Sequence, residues 1–113
     1  MKELFKIKDL VFYEEDFIDN IEDYEDIIYI IQDFASYLEY EKIVTADDNE
    51  CCNKSRNNYF IQIHGYIDEN DEFVTKEEVD KYKNVLAENK LDLFVIRIFK
   101  CVDCGKWLID ILE

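Results

Sequence analysis

Leu91-Asp92-Leu93-Phe94-Val95-Ile96-Arg97-Ile98-Phe99 leads into Cys101-Val102-Asp103-Cys104-Gly105-Lys106 and then Trp107-Leu108-Ile109-Asp110-Ile111-Leu112. The first run places Leu91, Leu93, Val95, Arg97 and Phe99 on one face and Asp92, Phe94, Ile96 and Ile98 on the other. That period of two predicts a strand. The second set is the more apolar over its last three members, so either face can pack. Trp107 to Leu112 returns as a closing strand, and the six residues from Cys101 form a tight turn. So short a connection cannot cross over to a parallel neighbour, which makes the pair an antiparallel hairpin.

Upstream, Thr75 and Glu78 spell a T-x-x-E capping box, with Val74 and Val79 at the two staple positions. The spacing predicts a helix over 75–89, with Val79, Tyr82, Val85 and Leu86 as its apolar face and Asn89 as its stop. Tyr59 to Ile67 alternates again, Tyr59, Ile61, Ile63 and Gly65 opposing Phe60, Gln62, His64 and Tyr66, and predicts a strand. Asp68-Glu69-Asn70-Asp71 makes a turn after it. Residues 45–58 are rich in turn formers without a period and read as a loop. From about Ile21 to Tyr40, Tyr24, Ile27, Ile28, Ile31, Phe34, Ala35 and Leu38 recur at three- and four-residue steps, which predicts a helix. Residues 3–13 read as a short strand or irregular segment. The expected fold is α+β: a small antiparallel sheet containing 59–67, 91–100 and 107–112, packed against two main helices and closed by the strand–CxxC turn–strand hairpin. With no repeat, linker or Pro/Gly hinge, residues 1–113 read as one domain.

Composition narrows the class. Apolar residues reach 49%, with eight Phe, eight Tyr and one Trp, too many for a disordered chain. No apolar run approaches the ~18 residues of a membrane span. The start, Met1-Lys2-Glu3-Leu4-Phe5-Lys6, lacks the apolar stretch of a secretory signal, so the expected location is cytoplasmic. Abundant Ile, Lys, Asn, Tyr, Phe and Glu, residues with AT-rich codons, point to a bacterial genome of that bias or one of its mobile elements.

Four cysteines in a reducing compartment suggest thiols or metal ligands rather than disulfides. Cys101 and Cys104, three positions apart on a turn between strands, can grip one tetrahedral metal ion, and Gly105 supplies the backbone angles the turn needs. The segment Cys101-Val102-Asp103-Cys104-Gly105-Lys106 resembles the knuckle of zinc ribbons and rubredoxins over those six residues. The resemblance implies one structural zinc rather than an enzyme. A closed site takes four ligands, and the second C-x-x-C of the family pattern is missing here. Its place is taken by the adjacent pair Cys51 and Cys52, with His64 as an alternative donor. Successive side chains point apart, so joint use of Cys51 and Cys52 requires an unusual loop. Four-Cys, three-Cys-plus-His64 and no site at all stay open. A redox CxxC would precede a helix; here a strand follows, which argues against catalytic redox chemistry.

The net charge is −15, and it is uneven: sixteen carboxylates oppose four lysines before residue 51, twelve oppose nine basic residues after it. Glu14, Glu15, Asp16, Asp19, Glu22, Asp23, Glu25 and Asp26 crowd thirteen positions, and no basic residue lies between Lys8 and Lys42. A field of this sign repels nucleic acid and anionic membrane and favours a protein partner with a basic surface. The run lacks the spacing and the glycine of a calcium loop. No triad, phosphate-binding loop or paired-carboxylate pattern appears, so no enzyme activity is expected. The composition predicts a small acidic accessory or interaction protein, and the knuckle resemblance implies a structural zinc in it. The alternatives are an acidic, nucleic-acid-mimicking inhibitor from a phage or mobile element, and an enzyme of unrecognised type.

Overall fold

The computed structural model describes residues 1–68, 70–81 and 91–113. The chain opens with a hairpin of β1 (Glu3–Ile7) and β2 (Leu10–Tyr13), paired antiparallel with Ile7 opposite Leu10 and Phe5 opposite Phe12. Period-two spacing puts Phe5, Ile7, Leu10 and Phe12 on one buried face, where the Phe5 and Phe12 rings stack at 4.6 Å. The turn is Lys8-Asp9, and Lys8 takes a left-handed φ of 55°. The residues ambiguous in sequence are thus a complete two-stranded sheet. The turn escaped notice because it carries neither Gly nor Asn at the left-handed position.

The acidic segment follows as a 3₁₀ turn over Glu14–Asp16 and a second over Ile21–Tyr24. Asn20 caps the second, its side-chain oxygen accepting from the Glu22 N–H at 3.2 Å. Helix α1 spans Glu25–Phe34 and closes in a 3₁₀ turn over Ala35–Tyr37. Every residue of the expected apolar face, from Tyr24 to Leu38, is at least half-buried, with Ile28 and Ile31 fully so. The helical region stops at Tyr37 rather than Tyr40, and β3 (Glu41–Val44) begins four residues later. The sequence hid this strand because it is short and mostly exposed.

β3 edges a five-stranded sheet of order β3-β4-β6-β7, with β4 at Asn57–Ile67, β6 at Asp92–Cys101 and β7 at Trp107–Leu112. β3 pairs antiparallel with residues 57–60 of β4, and β5 (Phe73–Thr75) pairs antiparallel with residues 65–67. Asn57 O accepts from Val102 N at 3.1 Å and Phe60 packs on Phe99, so β4 and β6 run in opposite directions. All three expected strands are present. The loop expected over 45–58 ends earlier, since Asn57 and Asn58 already belong to β4. On β6 the face of Ile96 and Ile98 is fully buried from Ile96 on and also carries Lys100, while the opposite face buries Val95 and Cys101.

The expected picture of two main helices on one antiparallel sheet is matched in part. Among the described residues strands predominate, they form two sheets, and one main helical region covers residues 21–37. Helix α2 (Lys76–Lys81) starts where the capping box placed it, the Glu78 N–H donating to Thr75 Oγ1 at 3.2 Å. Of the expected apolar face, Val79 falls within α2, while Tyr82, Val85 and Leu86 and the stop at Asn89 lie outside the described residues. Among those described, no helix is long and apolar enough to cross a membrane.

The chain packs as two compact units, 1–61 with 98–109, and 62–97 with 110–113. The core of the first is built on Trp107, 1% exposed, whose ring meets Phe5, Phe12 and Phe17 at 5.3, 5.4 and 4.5 Å. Its indole N–H donates to Tyr13 O at 2.8 Å, so burying the ring leaves no orphan donor. The second unit buries Ile63, Val95 and Ile96, and there Phe73 packs against Phe94.

Candidate metal centre

The four cysteines converge at one place in the first unit. The sulfurs of Cys51, Cys52, Cys101 and Cys104 all lie within 4.8 Å of one another, and Cys104 Sγ approaches Cys51 Sγ to 2.7 Å. A tetrahedral ion with metal–sulfur bonds of about 2.3 Å sets its sulfurs roughly 3.8 Å apart, and the observed separations bracket that value.

The knuckle half is built by the hairpin. β6 ends at Cys101, 3% exposed. Cys101 N donates to Lys106 O at 2.9 Å and Gly105 N to Cys101 O at 3.0 Å, closing the turn. Gly105 takes φ +80°, the left-handed angle that a side chain disfavours. The turn aims the Cys104 N–H at Cys101 Sγ, 3.5 Å away.

The other half is a single helical turn, which resolves the expected conflict between Cys51 and Cys52. Asn49 O accepts from Cys52 N at 3.3 Å and from Asn53 N at 2.7 Å. In a helical turn consecutive side chains diverge by about 100° rather than the 180° of a strand, so both sulfurs reach one point. Asn53, at φ 54°, ends the turn. Asn49 also fastens it to β4. Its Oδ1 accepts from Asn58 Nδ2 at 2.8 Å, its Nδ2 donates to Asn57 O at 3.3 Å, and its own N–H donates to Ser55 O at 2.7 Å. Asn58 and Ser55, 4% and 5% exposed, are buried polar residues satisfied by this network.

The electrostatics are asymmetric. Burial raises the Cys101 thiol, but the Cys104 N–H, the Asn49 side chain, the Asp103 N–H and the Cys104 thiol outweigh it, and Cys101 falls to about 6. Cys51 is pushed up by burial, by hydrogen bonds with Cys104, Cys101 and Cys52, and by the charge on Cys101. Cys101 therefore gives up its proton more readily than an ordinary thiol, and Cys51 less readily. Such a set of thiols accepts a thiophilic cation in exchange for protons.

His64 stands outside this quartet, on β4 in the second unit, with its ring 5.9 Å from that of Tyr66. Among the acidic residues, Glu15, Asp19, Glu22, Asp23, Glu25 and Asp26 are exposed and Glu14 and Asp16 half-buried. Glu14 lies 4.0 Å from Lys2 Nζ, and Glu15 accepts from the Lys2 backbone N–H at 3.0 and 3.1 Å, which lowers its carboxyl.

Sequence reasoning missed Asn49, Asn58 and Lys100. Asn49 and Asn58 had the appearance of ordinary turn formers, and Lys100 that of a strand end. What each touches is set by pairings across the sheet.

Fold and site define a strand-rich chain with helices that carries a four-cysteine cluster of metal-binding geometry. No known protein family, curated protein or solved structure matches it.

Proposed function

We propose that the chain is a small non-enzymatic accessory protein whose four cysteines hold one structural zinc ion and whose acidic surface binds a basic protein. The convergence of all four sulfurs within 4.8 Å carries the zinc reading. Four thiolates with no open position favour a structural site over a catalytic one. The donors come from two segments about fifty residues apart, so one ion staples the 45–56 loop to the β6–β7 hairpin. The exposure of six of the eight clustered carboxylates supports the partner reading, because repulsion among them is relieved by a cationic surface.

Metal analysis of the purified reduced protein tests the zinc reading. One zinc per chain is expected, lost in Cys104→Ser. A protein that binds no zinc and whose four thiols react equally fast with and without it overturns it. Capture of a basic partner, lost at high salt and displaced by duplex DNA, would favour the nucleic-acid-mimic alternative. Capture unaffected by DNA favours the accessory role.

A further inference from the structure

Lys100 is out of place by composition. It shares the buried face of β6 with Ile96 and Ile98 and is 9% exposed. Its Nζ lies over the Phe12 ring, 5.2 Å from the centroid. Nζ donates to Gly105 O at 2.6 Å, inside the CxxC turn. Among the described residues, no carboxylate lies within ion-pair distance of it. A cation removed from water is costly unless a negative charge meets it, and a neutral carbonyl and an aromatic face supply no full charge. Asp16 acts on it from beyond ion-pair distance, and the other negative groups acting on it are Cys104 and Cys101.

We propose that Lys100 is the built-in counter-cation of the metal centre, so that the site holds a divalent thiophilic ion as a four-thiolate dianion. The inference rests on the zinc reading and deepens it. A divalent ion on four thiolates carries two negative charges, and a single adjacent cation halves that. Four neutral thiols, or two disulfides, carry none, and either state leaves Lys100 with the Gly105 carbonyl, the face of the Phe12 ring and the more distant Asp16 carboxylate. The hydrogen bond to Gly105 fixes the ammonium to the turn that bears Cys104, so the charge keeps its place as the ligands close. Outer groups of this kind are worth roughly 10–100-fold in metal affinity.

Three variants of the full chain separate charge from shape. Lys100→Gln keeps a donor for Gly105 O and removes the charge, Lys100→Met removes both, and Lys100→Arg keeps the charge. Zinc affinity is read by competition with a chelator, and stability is read on metal-free reduced and zinc-loaded protein. The expected result is about tenfold or greater loss of affinity in Lys100→Gln and Lys100→Met, with most of it recovered in Lys100→Arg. The metal-free variants should be as stable as wild type or more so, and the zinc-loaded ones less stable. That opposition of sign is a signature a merely structural lysine would not give. Wild-type affinity in Lys100→Gln, or equal destabilisation of both forms, overturns the inference while leaving the zinc reading intact. Failure of the wild-type chain to bind zinc overturns both.

Discussion

Saturating zinc should raise the thermal midpoint of this protein by roughly 15 °C over the metal-free form, and the size follows from chain topology. The ligand segments begin at Cys51 and Cys101, so 101 − 51 = 50 residues of chain separate them. In the unfolded chain, one ion holding all four thiolates must close that loop. A cross-link spanning about fifty residues costs about 4 kcal/mol in the chain-entropy relation, between the ~3 of a 15-residue loop and the ~4.7 of a 100-residue loop. In the folded chain the Asn49 network and the β6–β7 turn have already brought the sulfurs together. Zinc therefore binds the folded form more tightly by about that amount, near a thousandfold, and by linkage adds it to stability when both states are saturated. At about 4 °C per kcal/mol for a chain of this size, the shift is roughly 15 °C. Circular dichroism melts in a zinc buffer and in excess chelator, under reducing conditions, measure it. Cys101→Ser should melt at one temperature in both. Equal midpoints for the wild-type chain with and without zinc would refute the argument that one ion joins the two segments.

Zinc uptake should release about one more proton per chain near pH 5 than near pH 7. The Cys101 thiol, held at about 6, must be deprotonated by the metal only at the lower pH, whereas the raised Cys51 thiol gives up its proton at both. Calorimetry in buffers of differing ionisation enthalpy counts the protons, and equal counts contradict the assignment. In the metal-free protein the same lowered Cys101 stabilises the fold above the ordinary thiol range, and this contribution fades as pH falls through about 6. Gly65→Ala should cost about 1–3 kcal/mol in urea unfolding, because a Cβ there would overlap the Phe73 ring and sit 2.6 Å from Val74 O; an unchanged midpoint is the contrary result. Neutralising Glu14, Glu15, Asp16, Asp19, Glu22, Asp23, Glu25 and Asp26 with Asn and Gln should abolish partner capture, which should already weaken steeply with salt as the screening length shortens to ~8 Å. Capture that survives the changes marks the run as a solvated face.

The sequence alone determined what local chemistry determines. Period-two alternation located β4, β6 and β7, three- and four-residue spacing located the buried face of α1, and Thr75 marked the start of α2. Cys101-Val102-Asp103-Cys104-Gly105 announced its turn, because a left-handed glycine and two thiols at that spacing are a property of five consecutive residues. Tertiary structure decided the rest. The β1–β2 hairpin was obscured because its tight turn is made by Lys8, whose angle is imposed by strands packing on Trp107. β3 is a strand because β4 offers it an edge, not because of its own four residues. That Cys51 and Cys52 point the same way depends on a helical turn held by Asn49, and Asn49 is held by Asn57 and Asn58 across the sheet. The meaning of Lys100 depends on which face of β6 turns inward. Ligand types and half of their spacing can be read along the chain; the closing of four sulfurs around one point is a relation between segments fifty residues apart, and only packing and pairing supply it.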